Sequence, residues 1–135
     1  MVDSTAKKFI RAARQRFAAA NKLLALELNI EAVYLAGYTV ECALKALLIE
    51  RTAPRRRRRL IDEAFRGRRG HDFEMLRQML RRLSCHLPPD VALQMTRVQT
   101  WSTDLRYQVG FIETEDTQAF LDAAGTVLRW VERSL

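Results

Sequence analysis

The sequence predicts an all-α fold, an up-and-down helical bundle of four long helices plus a shorter one, in a single domain of residues 1–135. Apolar residues recur at helical steps of three and four along most of the chain. Only 5 Gly and 3 Pro interrupt it, too few for the many tight turns of an all-β fold. With 135 residues and 48% hydrophobic content, the chain can bury a core without metal or disulfide support.

The first helix is predicted to start at a cap on Asp3 or Ser4, because either side chain can accept hydrogen bonds from the first turn of a helix. Residues 6–24 then carry an apolar stripe at alternating steps of four and three. Lys7 and Arg11 fall outside this stripe. The helix is therefore amphipathic, with one face toward a core.

Asn29 interrupts the pattern, and a second helix is predicted from about residue 30 to residue 50. Apolar side chains cover nearly its whole circumference, so it needs neighbours on all sides. We expect it to be the most buried element. Glu31, Glu41 and Lys45 are costly at bilayer depth, which favours a core helix over a membrane span.

Residues 52–59, TAPRRRRR, are predicted to form a flexible connector. Pro54 disfavours helix at Ala53, and five successive like charges repel one another. Residues 60–65 then favour a single helical turn.

Three further helices complete the predicted bundle. The third begins near His71 or Asp72, includes Leu83 in its apolar face and ends at the turn 84–89. The fourth runs from Asp90 through Leu105 to about residues 107–110. The fifth starts at a Thr114 cap, with acidic residues favourably placed on its positive end.

The net charge of +7 is concentrated in one segment. Residues 51–82 hold twelve Arg and four acidic residues, a net +8, and the rest of the chain is nearly neutral. Guanidinium groups match phosphate oxygens and release counterions from nucleic acid, so the cluster favours phosphate binding, while a solvated loop is the alternative. We expect weak, salt-sensitive binding of RNA or single-stranded DNA by the connector residues Arg55, Arg56, Arg57, Arg58 and Arg59, with Arg66, Arg68 and Arg69 behind them.

Cysteine and histidine usage indicates neither disulfides nor metal. Cys42 and Cys85 lie in unlike settings and make no disulfide framework. His86 is too close to Cys85 to share a zinc site with it and lacks further ligands, so we expect no metal and no cofactor. Charged residues from position 3 onward leave no secretion signal, which predicts a cytoplasmic protein without membrane partners.

Three motifs together resemble a known family. They are A-x-YLAGY-x-x-ECALKALL at residues 32–48, GHD at residues 70–72, and W-x-x-x-LRY at residues 101–107. In content and order they are similar to the HEPN family (higher eukaryotes and prokaryotes nucleotide-binding), over roughly residues 6–130. The resemblance implies an antiparallel bundle, a homodimer, and a minimal nucleotidyltransferase as protein partner in a toxin–antitoxin pair.

Some HEPN proteins are metal-independent ribonucleases, and the resemblance identifies where this chain departs from them. Their pattern is an Arg, usually followed by a polar residue, with His four to six positions later. Here no His follows Arg106 and Tyr107. Arg66 and His71 match the spacing, but Gly67 follows the Arg and the segment is crowded with Arg.

Glu41 and Lys45 stand one helical turn apart, which allows an internal ion pair that fixes the helix register or a pair that faces a ligand. We expect Glu41 to pair with Lys45, Arg106 or both, because an unpaired buried carboxylate is strongly unfavourable. The ring of His71 either forms hydrogen bonds with local backbone groups at the start of a helix or takes part in a functional site. Trp101 is interpreted as core in preference to a base-stacking platform.

The leading functional interpretation is a binding module for RNA or nucleotide phosphate in which catalysis is absent or vestigial. The alternatives are a ribonuclease that uses Arg66 and His71, or Arg106 with an unrecognised base, and a structural module that docks an acidic protein. Beyond the connector arginines, the candidate binding residues are Glu41, Lys45, His71, Asp72, Arg106 and Tyr107.

Overall fold

In the computed structural model, which describes the backbone of residues 1–135 and every side chain except those of Arg68, Arg69 and Arg106, the chain forms six α-helices and two 3₁₀ turns. The helices are α1 (Ser4–Ala25), α2 (Asn29–Arg51), α3 (Pro54–Ala64), α4 (Phe73–Arg82), α5 (Pro89–Val98) and α6 (Thr114–Ser134). The 3₁₀ turns are Arg68–His71 and Thr103–Tyr107.

The all-α prediction is confirmed, but the expected four long helices plus a shorter one are not. Over the described backbone, α1, α2 and α6 are long, with 22, 23 and 21 residues. The helices α3, α4 and α5 have only 11, 10 and 10 residues. Three long helices therefore form the body of the fold, and three short ones border it.

The helix α2 lies at the centre, as its apolar circumference predicts. It packs against α1, α6, α4 and the turn Thr103–Tyr107, and most of its residues from Ala32 to Ile49 are buried. By length and composition α2 could cross a membrane, yet 78% of its most apolar stretch is buried inside the bundle. It is a core helix, and the prediction that it is the most buried element is confirmed.

One of the two predicted helix caps forms, and Asp72, predicted only as a helix start, is a further cap. The Asp3 carboxylate accepts hydrogen bonds from two backbone amides of the first turn of α1. The Asp72 carboxylate accepts from the Met75 amide at 3.2 Å. Thr114 is the first residue of α6 and not its cap; Glu113 holds that position without a side-chain hydrogen bond.

The predicted flexible connector is wrong, because its arginines belong to α3. Pro54 is the first residue of the helix, where its fixed φ suits helix initiation and its missing N–H costs nothing. Arg58 and Arg59 pair one turn ahead with Asp62 and Glu63, at 3.9 and 3.1 Å. The predicted single turn at residues 60–65 is the second half of the same helix.

Arg57 has a structural role. Its Nε donates to the carbonyl oxygens of Ile49 and Thr52, and one Nη donates to that of Glu50. The other Nη binds the Asp3 carboxylate at 3.2 Å. Arg57 thus satisfies the last carbonyls of α2 and ties them to the start of α1. The expectation that all five connector arginines are free for phosphate is wrong for this one.

Two helices end earlier than predicted. The helix α4 stops at Arg82, because Ser84 adopts a left-handed φ of 58°, and Leu83 lies past the helix end with 38% exposure. The helix α5 stops at Val98, and Leu105 belongs instead to the turn Thr103–Tyr107.

The contacts of Trp101 fix the path of the chain after the end of α5. Its side chain is buried, and its Nε1 donates to the Tyr34 carbonyl at 3.1 Å. Its ring stacks on the Phe73 ring, with the ring centres 5.2 Å apart. The indole lies directly over Gly37 of α2. The interpretation of Trp101 as a core residue is confirmed.

Gly37→Ala should destabilise the fold strongly, because an added Cβ would overlap the Trp101 indole. We expect the free energy of unfolding to fall by about 3 kcal/mol, the upper end for overpacking. Gly125→Ala is the matched control, since its Cβ would meet the end of the Phe17 ring, which is only partly buried and can shift. Urea denaturation measures both variants, and equal losses would contradict the packing described.

Candidate functional site

A buried ion pair stands at the centre of α2. Lys45 Nζ donates to Glu41 Oε2 at 3.0 Å, and the two side chains are only 5% and 6% exposed. The spacing of four residues places both on one face of the helix. The predicted pairing of Glu41 with Lys45 is confirmed; the Arg106 side chain lies outside the described residues.

The second oxygen of Glu41 holds His71. His71 Nδ1 lies 2.6 Å from Glu41 Oε1, a short charge-assisted hydrogen bond. The ring therefore binds a side chain of the core helix, and not the local backbone groups that were the other interpretation. His71 itself is 38% exposed, so it connects the buried carboxylate to the surface.

The Lys45 ammonium group also contacts Phe65, at the end of α3. Its Nζ lies 3.5 Å from the Phe65 carbonyl oxygen and 5.1 Å from the centre of the Phe65 ring. A carboxylate, a carbonyl and an aromatic face thus surround the ammonium group, which replaces part of its lost hydration. The charge is buried but not isolated.

The GHD motif has a physical explanation in this network. A Cβ at Gly70 would overlap the Phe65 carbonyl and lie 3.2 Å from Lys45 Nζ, so only glycine fits the turn. The next residue, His71, binds Glu41, and Asp72 caps α4. Asp72 is thereby assigned to a helix cap.

A cavity of about 620 Å³ opens beside His71. It lies between the N-terminal half of α4, the end of α5 and the turn Thr103–Tyr107. The stacked rings of Phe73 and Trp101 form its apolar wall. Its charged lining side chains are Asp72, Glu74, Arg77 and Asp104.

Arg77 was not among the residues predicted for a site. Its side chain is 17% exposed, and its Nε is buried without a hydrogen-bond partner among the described residues. One Nη lies 3.7 Å from the Glu74 carboxylate, too far for a hydrogen bond. Its position one turn after Phe73 borders the apolar face of α4, which is the signal that could have identified it. A buried N–H without an acceptor is unusual in a native protein, and Arg77 also lines the cavity.

The structure brings some predicted residues to this cavity and not others. Arg66 is exposed, pairs with Asp62 at 3.4 Å and does not line the cavity with His71. The backbone of Arg106 belongs to the turn whose Thr103 and Asp104 line the cavity; its side chain lies outside the described residues. Tyr107 ends that turn and is 74% exposed.

The remaining arginines of α3 are at the surface. Arg55 and Arg56 are exposed and make no ion pair with the side chains that the structure describes. The pairs of Arg58 and Arg59 are themselves exposed, so they are weak and can be exchanged for phosphate. Arg68 and Arg69, also predicted, have side chains outside the described residues.

Cys42 follows Glu41 on α2, and its thiol is a poor nucleophile at neutral pH. Burial raises the pKa of its thiol to about 11, and the neighbouring Glu41 charge adds to the effect. Its thiolate fraction at neutral pH is therefore very small, so no nucleophile is added to the site.

The fold and the site define a class: a small all-helical domain whose core helix carries a buried Glu–Lys pair linked to an outer histidine beside a cavity. The model of the HEPN domain family matches residues 6–134. The chain belongs to the HEPN family. No curated protein and no solved structure gives a significant match.

Glu41→Gln should cost about 3 kcal/mol in the free energy of unfolding, because it leaves the Lys45 charge buried without a counter-charge. Glu63→Gln is the matched control; it breaks the exposed pair with Arg59 and should cost less than about 1 kcal/mol. Urea denaturation of both variants decides the question. Equal losses in the free energy of unfolding would show that the buried pair stabilises the fold no more than the exposed pair does.

Proposed function

We propose that this HEPN domain is a cytoplasmic binding module for RNA or nucleotide phosphate, with the cavity beside His71 as its recognition site. The observation that carries the proposal is the Arg77 guanidinium, which borders the same cavity as His71 and makes no hydrogen bond with the described side chains. Guanidinium and imidazole are common ligands of phosphate oxygens.

The chemistry of the lining suits a nucleotide. Phe73 and Trp101 line the cavity and offer a base a small apolar surface, since each is only 5% exposed. The exposed carboxylates of Glu74 and Asp104 can accept hydrogen bonds from amino groups of a base or from ribose hydroxyls. The described lining sets one guanidinium, from Arg77, against the carboxylates of Asp72, Glu74 and Asp104. This excess of negative charge disfavours a polyphosphate chain and leaves a place for at most one phosphate, at Arg77.

A homodimer and a nucleotidyltransferase-like partner, in a toxin–antitoxin-like pair, are part of the proposal. The apolar circumference of α2 does not supply the dimer contact, because α2 is covered within its own bundle. Exposed apolar side chains lie instead beyond the second 3₁₀ turn, where Val109 and Phe111 are 89% and 62% exposed. Side chains of this size in so short a segment are typical of a protein contact.

Light scattering should therefore give the mass of a dimer, and Phe111→Ser should weaken the dimer by removing an apolar contact. Leu93→Ser is the control, since Leu93 is also exposed, at 57%, but lies within α5, which has no second large apolar side chain that is exposed among its described residues. A monomeric mass for the wild type at high protein concentration would contradict the dimer.

Arg77→Gln should weaken binding of a short single-stranded RNA and of mononucleotides roughly ten-fold or more, the usual effect of losing a hydrogen bond from a charged group. Arg81→Gln is the control, since Arg81 lies on the same helix, is exposed and does not line the cavity. Calorimetric titration at low salt measures both. Equal affinities of the two variants would exclude the cavity as the site.

A metal-independent ribonuclease is the second candidate function. The Glu41 carboxylate orients His71 in the manner of carboxylate–histidine pairs that transfer protons. The same RNA is incubated with the protein in the presence of a chelator. Cleavage by the wild type that disappears in His71→Ala would support catalysis, and intact RNA would support binding alone.

A further inference from the structure

The outward face of α1 carries a second basic surface. A shallow groove of about 490 Å³ is lined entirely by residues of this helix. Its cationic members are Lys7, Lys8, Arg11 and Arg16, all exposed. From Ser4 to Ala25 the helix contains no acidic residue. We call these four side chains the α1 groove cations.

The α1 groove cations are not engaged within the fold. None of them pairs with a carboxylate among the side chains that the structure describes. Arg14 of the same helix provides the contrast, because it points to α6 and binds Glu132 at 2.7 Å. Four uncompensated charges on one helix repel one another, so an external anion would stabilise them.

Two of the four cations, Lys8 and Arg11, lie on one ridge of the helix, and Lys7 and Arg16 border it on either side. Ser4, Lys8, Arg11 and Gln15 follow steps of four, three and four, which places them on one ridge. This ridge is opposite the buried stripe that contains Ala6, Ile10 and Ala13. From residue 4 to residue 16 the helix rises about 18 Å, long enough to contact more than one phosphate of a strand.

Two contacts connect α1 with α3, which carries cations of its own. The Asp3–Arg57 pair and the edge-to-face contact of Phe9 with Phe65, at 5.8 Å, hold α1 against α3 and its end. The exposed, unpaired Arg55 and Arg56 of α3 belong to this neighbouring element. Both helices therefore carry exposed cations that form no ion pair with the described side chains.

A membrane surface fits these observations poorly. The apolar face of α1 is buried in the core, and none of the described large apolar side chains that are exposed lies within Ser4–Ala25. A helix that binds a bilayer inserts an apolar face, and α1 has none free. Ser4 and Gln15 add hydroxyl and amide donors to the ridge, which suit phosphate and ribose oxygens.

We propose that the α1 groove binds the sugar–phosphate backbone of single-stranded RNA without reading its sequence. This assignment rests on the proposed RNA-binding function and adds a second contact region to the cavity beside His71. Binding there is electrostatic, so it weakens steeply as the salt concentration rises.

The test compares two variants that each lose four positive charges. The first changes the α1 groove cations to Gln, which keeps helix propensity. The control changes exposed arginines of α4, α5 and α6 to Gln: Arg81, Arg82, Arg97 and Arg133. Both are titrated into a fluorescent oligouridine at several salt concentrations, and circular dichroism verifies that both are folded.

The α1 variant should lose at least about ten-fold in affinity at low salt, and its log–log salt slope should fall by about 2 to 3, since each phosphate contact on a single strand contributes roughly 0.7. The control variant should keep the slope of the wild type. An α1 variant with the wild-type slope would overturn the assignment while leaving the cavity proposal intact. A wild type that binds no RNA would reject both.

Polyglutamate and vesicles containing anionic lipid are tested in parallel. If the α1 variant loses binding to either of these while its RNA affinity equals that of the wild type, the groove serves an acidic protein or a membrane, and the RNA assignment is wrong. Loss of RNA binding alone supports it.

Discussion

The buried Glu41–Lys45 pair, with His71 on its outer side, is the interaction on which the arrangement of this domain depends. The two opposite charges lie on the most buried helix, where they contact each other in place of water. Lys45 also contacts the carbonyl and the ring of Phe65, and Glu41 also contacts the imidazole of His71. Desolvation makes such a pair expensive, and it persists only when each of its partners is present and well placed. The charges therefore require that the end of α3 and the turn Arg68–His71 return to the same point on α2.

The surface site follows from that requirement. Gly70 allows the turn to approach Phe65, His71 reaches Glu41, and Asp72 starts α4 directly afterwards. The first residue of α4, Phe73, then stacks on Trp101, whose indole needs a glycine at position 37. The three motifs on which the resemblance to the family rests thus meet in one contact region between α2, α4 and the segment after α5. We call this contact region the joint. The cavity beside His71 is the space that this joint leaves open.

The sequence predicted the centre of the fold well, because α2 is apolar on all sides and its charges are one turn apart. It failed at α3, since five adjacent arginines suggest repulsion until their partners one turn ahead, and the use of Arg57 as a cap for α2, are known. Arg77 was missed because an arginine beside an apolar stripe is usually solvated. The α1 groove cations were missed because acidic residues elsewhere cancel their charge in any average over the chain. The use of Arg57 as a cap and the buried position of Arg77 depend on tertiary neighbours, which periodicity does not contain. The pairs within α3 and the lack of acidic residues in α1 are local and could have been predicted from the sequence.

The tautomer of His71 tests most directly whether Glu41 holds this joint together. A carboxylate oxygen can only accept, so the 2.6 Å contact requires a proton on His71 Nδ1. Long-range proton–nitrogen correlation spectra of the wild type, with His71 assigned from a His71→Asn variant, report which ring nitrogen carries it. We predict a protonated Nδ1 whose signal shifts strongly in Glu41→Gln. A neutral ring with the proton on Nε2, unchanged in that variant, would contradict the role of Glu41.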